Sequence, residues 1–159
     1  MTELPQDISR RISNDLEIRG ATPDDLPAVL GLLSQMHDKP ASAQTHGLEN
    51  TFREMLASPS RVLLLAVHSD VVVGTLDLFV VANLTRGGRP WAGIENLVVD
   101  TDRRRHGIGS ALIDVAVDLA HQLDCYKLQL VSHERRGAAH DLYRRAGFDA
   151  PVHGYRRYL

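Results

Sequence analysis

The chain of 159 residues has little cysteine and little net charge. Cys125 is its single cysteine, so the sequence excludes an intrachain disulfide and a cysteine-rich zinc site. This is compatible with the reducing cytoplasm, where we expect the protein to lie. Because the net charge is only −2 at pH 7, there is no overall attraction for nucleic acid or for an anionic membrane, and we expect neither as a partner.

Long apolar runs are also lacking. The first residues are polar and include Asp7, Arg10 and Arg11, so we expect no secretory signal, and no later run is long enough to cross a bilayer as a helix. Hydrophobic residues nevertheless make up 43% of the chain, which excludes a disordered protein and predicts a globular core. We interpret residues 1–15 as a flexible tail and residues 16–159 as a single domain.

Apolar periodicity predicts strands and helices in the order β-α-α-β-β-β-α-β-α-β. Thr22 and Pro23 favour the start of a helix, because Thr suits the N-cap and Pro suits the first helical position. The predicted elements are a strand at 16–19, helices at 22–36 and 48–56, strands at 62–67, 71–82 and 92–100, a helix at 107–123, a strand at 126–131, a helix at 138–146 and a strand at 155–159. This order predicts an α/β fold in which helices cover the faces of a mixed sheet.

The segment between the third of the central strands and the next helix is rich in arginine and glycine. It contains Arg103, Arg104, Arg105 and His106, followed by Gly107 and Gly109 at the helix start. Glycine lets the backbone approach a ligand, and the first turn of a helix offers unpaired N–H groups, so the segment predicts an anion site suited to a diphosphate. The Walker and dinucleotide motifs both fail here, since Gly109 is followed by Ser-Ala and the third glycine position is Leu112.

What remains is the motif R-x-x-G-x-G at Arg104, Gly107 and Gly109, which resembles the coenzyme A signature of the GNAT superfamily of N-acetyltransferases. Leu142-Tyr143 and Gly147-Phe148 resemble the late L-Y-x-x-x-G-F segment of the same family. The resemblance extends from Leu16 to Leu159. It implies the acyl-CoA N-acyltransferase fold, acetyl-CoA as cosubstrate, and acetyl transfer to an amine.

The resemblance also implies which residues bind the coenzyme. The strand backbone would pair with the pantetheine arm, and the turn would bind the diphosphate. The implied residues are Leu97, Val98, Val99, Arg104, Arg105, His106, Gly107, Ile108, Gly109, Ser110 and Arg136. Arg136 departs from the family pattern, because many members carry Asn at that position. With arginine there, this chain lacks the amide contact that the asparagine makes to the coenzyme.

Acetyl transfer requires that the amine lose a proton, that an oxyanion be stabilised and that the departing thiolate gain a proton. Strict alternation along the strand at 92–100 puts Glu95 on the same, mostly apolar face as Leu97 and Val99, where a carboxylate is costly unless it is paired or used. The resemblance implies that an acid on this strand is the base, so Glu95 is the candidate. The resemblance implies Tyr143 as the acid and a backbone N–H of residues 97–99 as the oxyanion donor. A Glu95 neutralised by an arginine, and a Tyr143 that is only a half-buried helix residue, are the structural alternatives.

The acceptor is left open. One stretch, Ile94–Asp100, resembles glucosamine-6-phosphate N-acetyltransferases, while Tyr155–Leu159 looks more like aminoalkylphosphonate N-acetyltransferases. His37 and His46 bracket the loop where an acceptor would bind, but we expect no metal site. Asp77 either lines the acceptor site or lies on the solvent face. A coenzyme A-binding sensor without transfer activity is the alternative function, and homodimerisation is left open.

Overall fold

A computed structural model describes residues 3–36, 47–133, 137–150, 154–155 and 157–159. Within these residues the strands form one sheet of six in the order β1 to β6. The elements in chain order are β1 Ser9–Arg11, β2 Leu16–Gly20, α1 Leu26–Ser34, α2 Leu48–Ala57, β3 Arg61–His68, β4 Val71–Val81, β5 Trp91–Val99, α3 Ile108–Gln122, β6 Leu128–Leu130 and α4 Gly137–Arg145.

The sheet is mixed, which confirms the predicted α/β class. Each of β1 to β5 pairs with its neighbour in antiparallel fashion, and β6 pairs with β5 in parallel after the crossover through α3. A parallel pair needs such a crossover, because the chain must return to the same end of the sheet.

Both ends of the chain differ from expectation. Residues 1–15 are predicted to be a flexible tail, but the described part of this segment is ordered. Ser9–Arg11 form β1 and pair with β2, while Leu4 is buried and donates its backbone N–H to the carbonyl of Pro59. The strand predicted at 155–159 is also absent from the described residues of that segment. The other predicted elements are present with ends shifted by a few residues.

The predicted helix start at Thr22 is instead a short 3₁₀ turn, Pro23–Asp25, which leads into α1. The carboxylate of Asp25 accepts the backbone N–H of Thr22 at 2.7 Å and its hydroxyl at 2.9 Å. Arg19 on β2 donates to both oxygens of the same carboxylate, each at 2.8 Å. This two-pronged ion pair ties the start of α1 to the sheet.

Helices cover both faces of the sheet. On one face, α3 packs with Ile108, Leu112 and Val115 against the larger core, which includes Leu64 and Leu76. On the other face, α1 and α2 bury a smaller core; its buried members are Val29, Phe52, Leu63 and Leu65. In the described residues, no helix is both long and apolar enough to span a bilayer.

Candidate functional site

A bulge interrupts β5 at its middle. Asp77 of β4 lies opposite Glu95, but Thr75 lies opposite Val98, so Asn96 and Leu97 together face a single residue of β4. Asn96 has φ of +52°, a left-handed conformation in which asparagine is among the more tolerant residues. A bulge of this kind bends the strand and disturbs its regular pairing.

The bulge also exchanges the faces of the strand. Ala92 and Ile94 point into the larger core before it, whereas Leu97 and Val99 pack against that core after it. The expectation that Glu95 shares a face with Leu97 and Val99 is therefore wrong, because the extra residue reverses the alternation. Glu95 is exposed on the opposite face, the one that carries α1 and α2.

Beyond the bulge, one edge of β5 has no strand partner among the residues that the structure describes, and we call it the free edge. Its pairing with β6 runs from Ala92 to Ile94 and ends there, while the described residues after the bulge still pair with β4. The carbonyl of Val99 accepts the Nε–H of Arg104 at 3.1 Å instead of a strand partner. The edge opened between β5 and β6 can therefore accept an extended ligand with amide groups, as an added strand would be accepted.

A compact turn follows β5 and leads into α3. Asp100 caps it, since its Oδ1 accepts the N–H of Asp102 at 3.0 Å. Arg105 has φ of +64°, and His106 Nδ1 lies 2.8 Å from the carbonyl oxygen of Arg104. Gly107 is the N-cap of α3, so the turn delivers its arginines to the end of the helix where N–H groups are unpaired and the dipole is positive.

The two glycines of the motif have different structural reasons. Gly107 has φ of +79° and nothing within 4 Å of the place where a Cβ would stand, so this position demands glycine for its backbone and leaves open space beside it. At Gly109 a Cβ would lie 3.0 Å from a methyl of Leu142 and 3.6 Å from one of Val99. Gly109 therefore lets α4 pack closely on α3, whereas Gly107 is the one that leaves room for a ligand.

These elements enclose a cavity of about 850 Å³, within the size range of small-molecule sites. The end of α1, the free half of β5, the start of α3 and helix α4 form its wall. The lining residues are Gln35, Met36, Leu97, Val98, Val99, Arg104, Arg105, Gly107, Ile108, Gly109, Ser110, Gly137, Ala138, Ala139, Leu142, Tyr143 and Arg145. Among these described residues there are three arginines and no carboxylate, so the cavity favours an anion.

Most residues predicted for the coenzyme site thus lie on one cavity wall. His106 belongs to the turn but is not part of the wall, and Arg136 lies outside the described residues, as do His37 and His46. The sequence did not predict Gln35, Met36, Arg145 or the small residues Gly137, Ala138 and Ala139 as parts of this wall. Helical spacing could have indicated Arg145, because it follows Leu142 by three residues on α4.

The late motif is explained by α4. Leu142 packs on Gly109, and Gly147, with φ of +85°, ends the helix in the left-handed conformation that glycine favours. The ring of Phe148 then returns edge-to-face onto Tyr143, with centroids 6.2 Å apart. Tyr143 is half-buried and lines the cavity that the free half of β5 also lines.

Asp77 lies next to Glu95 across the sheet and is 0% exposed, which excludes the solvent-face interpretation. It is not part of the cavity wall either. Arg61 of β3 donates Nε–H to its Oδ1 at 2.8 Å and contacts its Oδ2 through the second nitrogen. The hydrogen bond to Asp77 raises the pKa of Arg61 against the effect of burial, and the charge of Glu95 adds to that rise. We therefore interpret Asp77 as a structural residue, the buried partner of Arg61.

Cys125, the single cysteine of the chain, is not part of the cavity wall. Cys125 is buried, and burial raises the pKa of its thiol, which disfavours the thiolate. The described residues contain no group of three or more His, Cys, Asp or Glu side chains that could hold a metal ion.

Comparison with known proteins gives a consistent result. Residues 29–148 match the model of the acetyltransferase (GNAT) family. The chain is 32% identical over 139 residues to the glucosamine 6-phosphate N-acetyltransferase of Trypanosoma brucei brucei, covering 86% of this chain and 90% of the relative. The solved structure of a Trypanosoma brucei acetyltransferase is 31% identical with a TM-score of 0.77, over 91% of this chain and 100% of that one. A predicted acetyltransferase of Clostridium acetobutylicum, solved with acetyl-CoA, shares the fold with a TM-score of 0.74 and 18% identity, over 91% and 96% of the two chains.

Proposed function

Because the chain belongs to the acetyltransferase (GNAT) family and is an N-acetyltransferase, we propose that it transfers the acetyl group of acetyl-CoA to the primary amine of a small molecule. The amine attacks directly, in a complex that holds both substrates. The observation that carries the proposal is the cavity of about 850 Å³, whose wall joins a free strand edge, an arginine-rich helix start and Tyr143.

The coenzyme fits this wall in two parts. Its diphosphate binds at the start of α3, where Arg104 and Arg105 add positive charge to the unpaired N–H groups of the first turn. Its pantetheine arm lies along the free edge of Leu97–Val99 and bonds to the backbone. Arg104 then exchanges its hydrogen bond to Val99 for one to the diphosphate. His106 and Arg136 are further proposed contacts.

The thioester consequently lies at the bulge, with groups for each step around it. The amine nitrogen forms a bond to the carbonyl carbon, and the C–S bond breaks. A backbone N–H of Leu97–Val99 stabilises the oxyanion, and Tyr143 gives a proton to the departing thiolate. Glu95 takes the proton of the amine. Since Glu95 is exposed on the face of α1 and α2, the amine approaches over that face, and the proton reaches the carboxylate directly or through water.

The acceptor is a small amine, and the similarity to a glucosamine 6-phosphate N-acetyltransferase makes that sugar phosphate the first one to assay. Aminoalkylphosphonates come next, because of the likeness of the C-terminal segment. Both candidates combine a primary amine with a phosphorus oxyanion. Aminoglycosides and polyamines complete a panel that separates this shared chemistry from amines without an anionic group.

The test uses two measurements on the wild-type protein. Calorimetry with coenzyme A should show binding, with the product also inhibiting turnover. Release of free thiol from acetyl-CoA should then depend on an amine from the panel. An absence of coenzyme binding would overturn the proposal as a whole. Binding without turnover on any amine would favour the sensor function instead.

A further inference from the structure

Gln35 joins α1 to the turn that precedes α3. Its Oε1 accepts the backbone N–H of Thr101 at 3.0 Å and the Thr101 hydroxyl at 2.9 Å, and its Nε2 donates to Asp100 Oδ2 at 3.2 Å. These three bonds link residues more than sixty positions apart in the chain. Gln35 itself is the C-cap of α1, where its backbone N–H bonds to the carbonyl of Leu32.

The contacts of Gln35 reach the first residues of the turn. Asp100 uses its other oxygen, Oδ1, to cap the N–H of Asp102, and its backbone N–H bonds to Val73 of β4. The turn is thus held from three sides: by the sheet, by its own cap and by α1. Gln35 provides the contact from α1, and it also lines the cavity with Arg104 and Gly107.

An amide is the group that suits this position. Two donors from Thr101 need an acceptor, and the carboxylate of Asp100 needs a donor; glutamine offers both at one end. Glutamate would satisfy Thr101 but would set a second carboxylate against Asp100. Alanine would leave all three groups to water.

From this geometry we infer that Gln35 is a positioning residue for coenzyme A: it holds the Asp100–Gly107 turn in the conformation that presents Arg104 and the N-terminus of α3 to the diphosphate. The inference rests on the proposed function, because it assigns a role within the same coenzyme site. Gln35 acts through the turn, and its own side chain need not touch the coenzyme.

The test compares coenzyme A affinities by calorimetry for the wild type, Gln35→Ala and Gln35→Glu. Loss of these hydrogen bonds should weaken binding roughly three- to tenfold in Gln35→Ala, and more in Gln35→Glu because of the repulsion from Asp100. In the transfer reaction, KM for acetyl-CoA should rise by the same factor while kcat changes little. Pantetheine, which lacks the diphosphate, should bind both variants as it binds the wild type in an NMR titration.

Gln6→Ala is the matched control, because the amide of Gln6 also makes three hydrogen bonds, to the carbonyls of Leu4, Ser58 and Arg61, away from the cavity. It should keep the wild-type affinity. Thr101→Val removes one of the three bonds to Gln35 and should also weaken coenzyme A binding, so the inference stays testable if Gln35→Ala does not fold. If Gln35→Ala folds, the loss of affinity in Thr101→Val should be the smaller one. In the variant that carries both substitutions, the two losses should not add.

The outcomes separate the inference from the proposed function. Wild-type protein that does not bind coenzyme A overturns both. Wild-type binding together with unchanged affinity in Gln35→Ala overturns the inference alone. An equal loss in Gln6→Ala, or an equal loss for pantetheine, would show a general effect on the fold and would also overturn it.

Discussion

The two halves of β5 differ in what surrounds them. From Ala92 to Ile94 the strand is paired on both sides, and Phe79 lies over it so closely that a Cβ on Gly93 would collide with the ring. After the bulge the strand keeps β4 on one side, and its other edge borders the cavity. One strand thus serves the fold with its first half and the proposed chemistry with its second.

Charged groups follow the same division between a closed part of the sheet, where strands are paired on both sides, and an open part, the second half of β5 beside the cavity. In the closed part of the sheet, Arg19 binds Asp25 and Arg61 binds Asp77, so each guanidinium has a buried carboxylate as partner. Around the cavity the arginines are exposed and the wall contains no carboxylate among its described residues. Paired charges hold the fold together, whereas the positive wall is suited to an anionic ligand. Changes in the closed part should therefore alter stability, and changes in the open part should alter binding or turnover.

Glu95 lies at the border between the two halves, and its replacement should have the largest effect. Glu95→Gln should lower turnover on a true acceptor by roughly 10²- to 10⁴-fold, the usual contribution of a positioned base. Coenzyme A affinity should stay near the wild-type value, because the side chain is not part of the cavity wall. Steady-state kinetics and calorimetry on the same preparation measure both quantities.

Two companion variants test whether the loss of turnover is specific to the proposed catalytic groups. Glu54→Gln changes an exposed glutamate on α2 and should have no effect on either quantity. Tyr143→Phe should reduce turnover by less than Glu95→Gln, because water can protonate the thiolate. Wild-type turnover in both Glu95→Gln and Tyr143→Phe would contradict the catalytic roles and leave the coenzyme site intact.

Gly107→Val should abolish coenzyme A binding without unfolding the protein. Among the described residues, no heavy atom lies within 4 Å of the place where the new Cβ would stand. The expected cost to the fold is therefore that of the left-handed backbone, about 1–2 kcal/mol and somewhat more for a β-branched residue. The valine side chain would instead occupy the open space beside residue 107, where the diphosphate is proposed to bind. Gly87→Val is the control: Gly87 also has positive φ, +71°, and open space, but it lies in the β4–β5 connection. The two variants should lose similar stability in urea denaturation, and retained coenzyme affinity in Gly107→Val would mean that the turn does not contact the diphosphate.

Arg104→Ala should weaken coenzyme A binding about tenfold, since a hydrogen bond to a charged group contributes roughly 1.5–3 kcal/mol. Arg103→Ala removes an exposed neighbour that is not part of the cavity wall and should change the affinity less than twofold. Calorimetry at two salt concentrations adds a second criterion, because the difference between the two variants should shrink as salt screens the charge. Equal losses in both would point to a diffuse effect of the arginine cluster.

Much of the fold and of the coenzyme site could be predicted from the sequence. Apolar periodicity indicates which residues are buried, and the glycines of the R-x-x-G-x-G motif indicate a turn with an unusual backbone conformation and close packing. Three features could not. The bulge at Asn96 is invisible, since Ile94–Val99 has the composition of an ordinary strand. Strand β1 is exposed at all three residues and so has no apolar alternation to reveal it. Gln35 acts through contacts with residues distant in the chain, which no local pattern records.

The smallest effect on coenzyme binding and turnover is expected in the closed part of the sheet, at the pair formed by Arg19 and Asp25. The hydrogen bond from Arg19, helped by those from Thr22, lowers the pKa of Asp25 to about 2, although burial opposes the shift. Because the folded-state pKa lies below the ordinary value of 3.8, the charged pair stabilises the protein above pH 4 and loses that contribution as the pH falls through 2. The contribution of this pair to the free energy of unfolding is about 2 kcal/mol at neutral pH.

Asp25→Asn should therefore be less stable than the wild type at pH 7, and the difference in stability should shrink between pH 4 and pH 2 in urea denaturation. Coenzyme A affinity at pH 7 should stay unchanged. A stability difference that is the same at every pH would mean that the charge of Asp25 contributes nothing, and a change in coenzyme affinity would break the separation between the closed and open parts of the sheet.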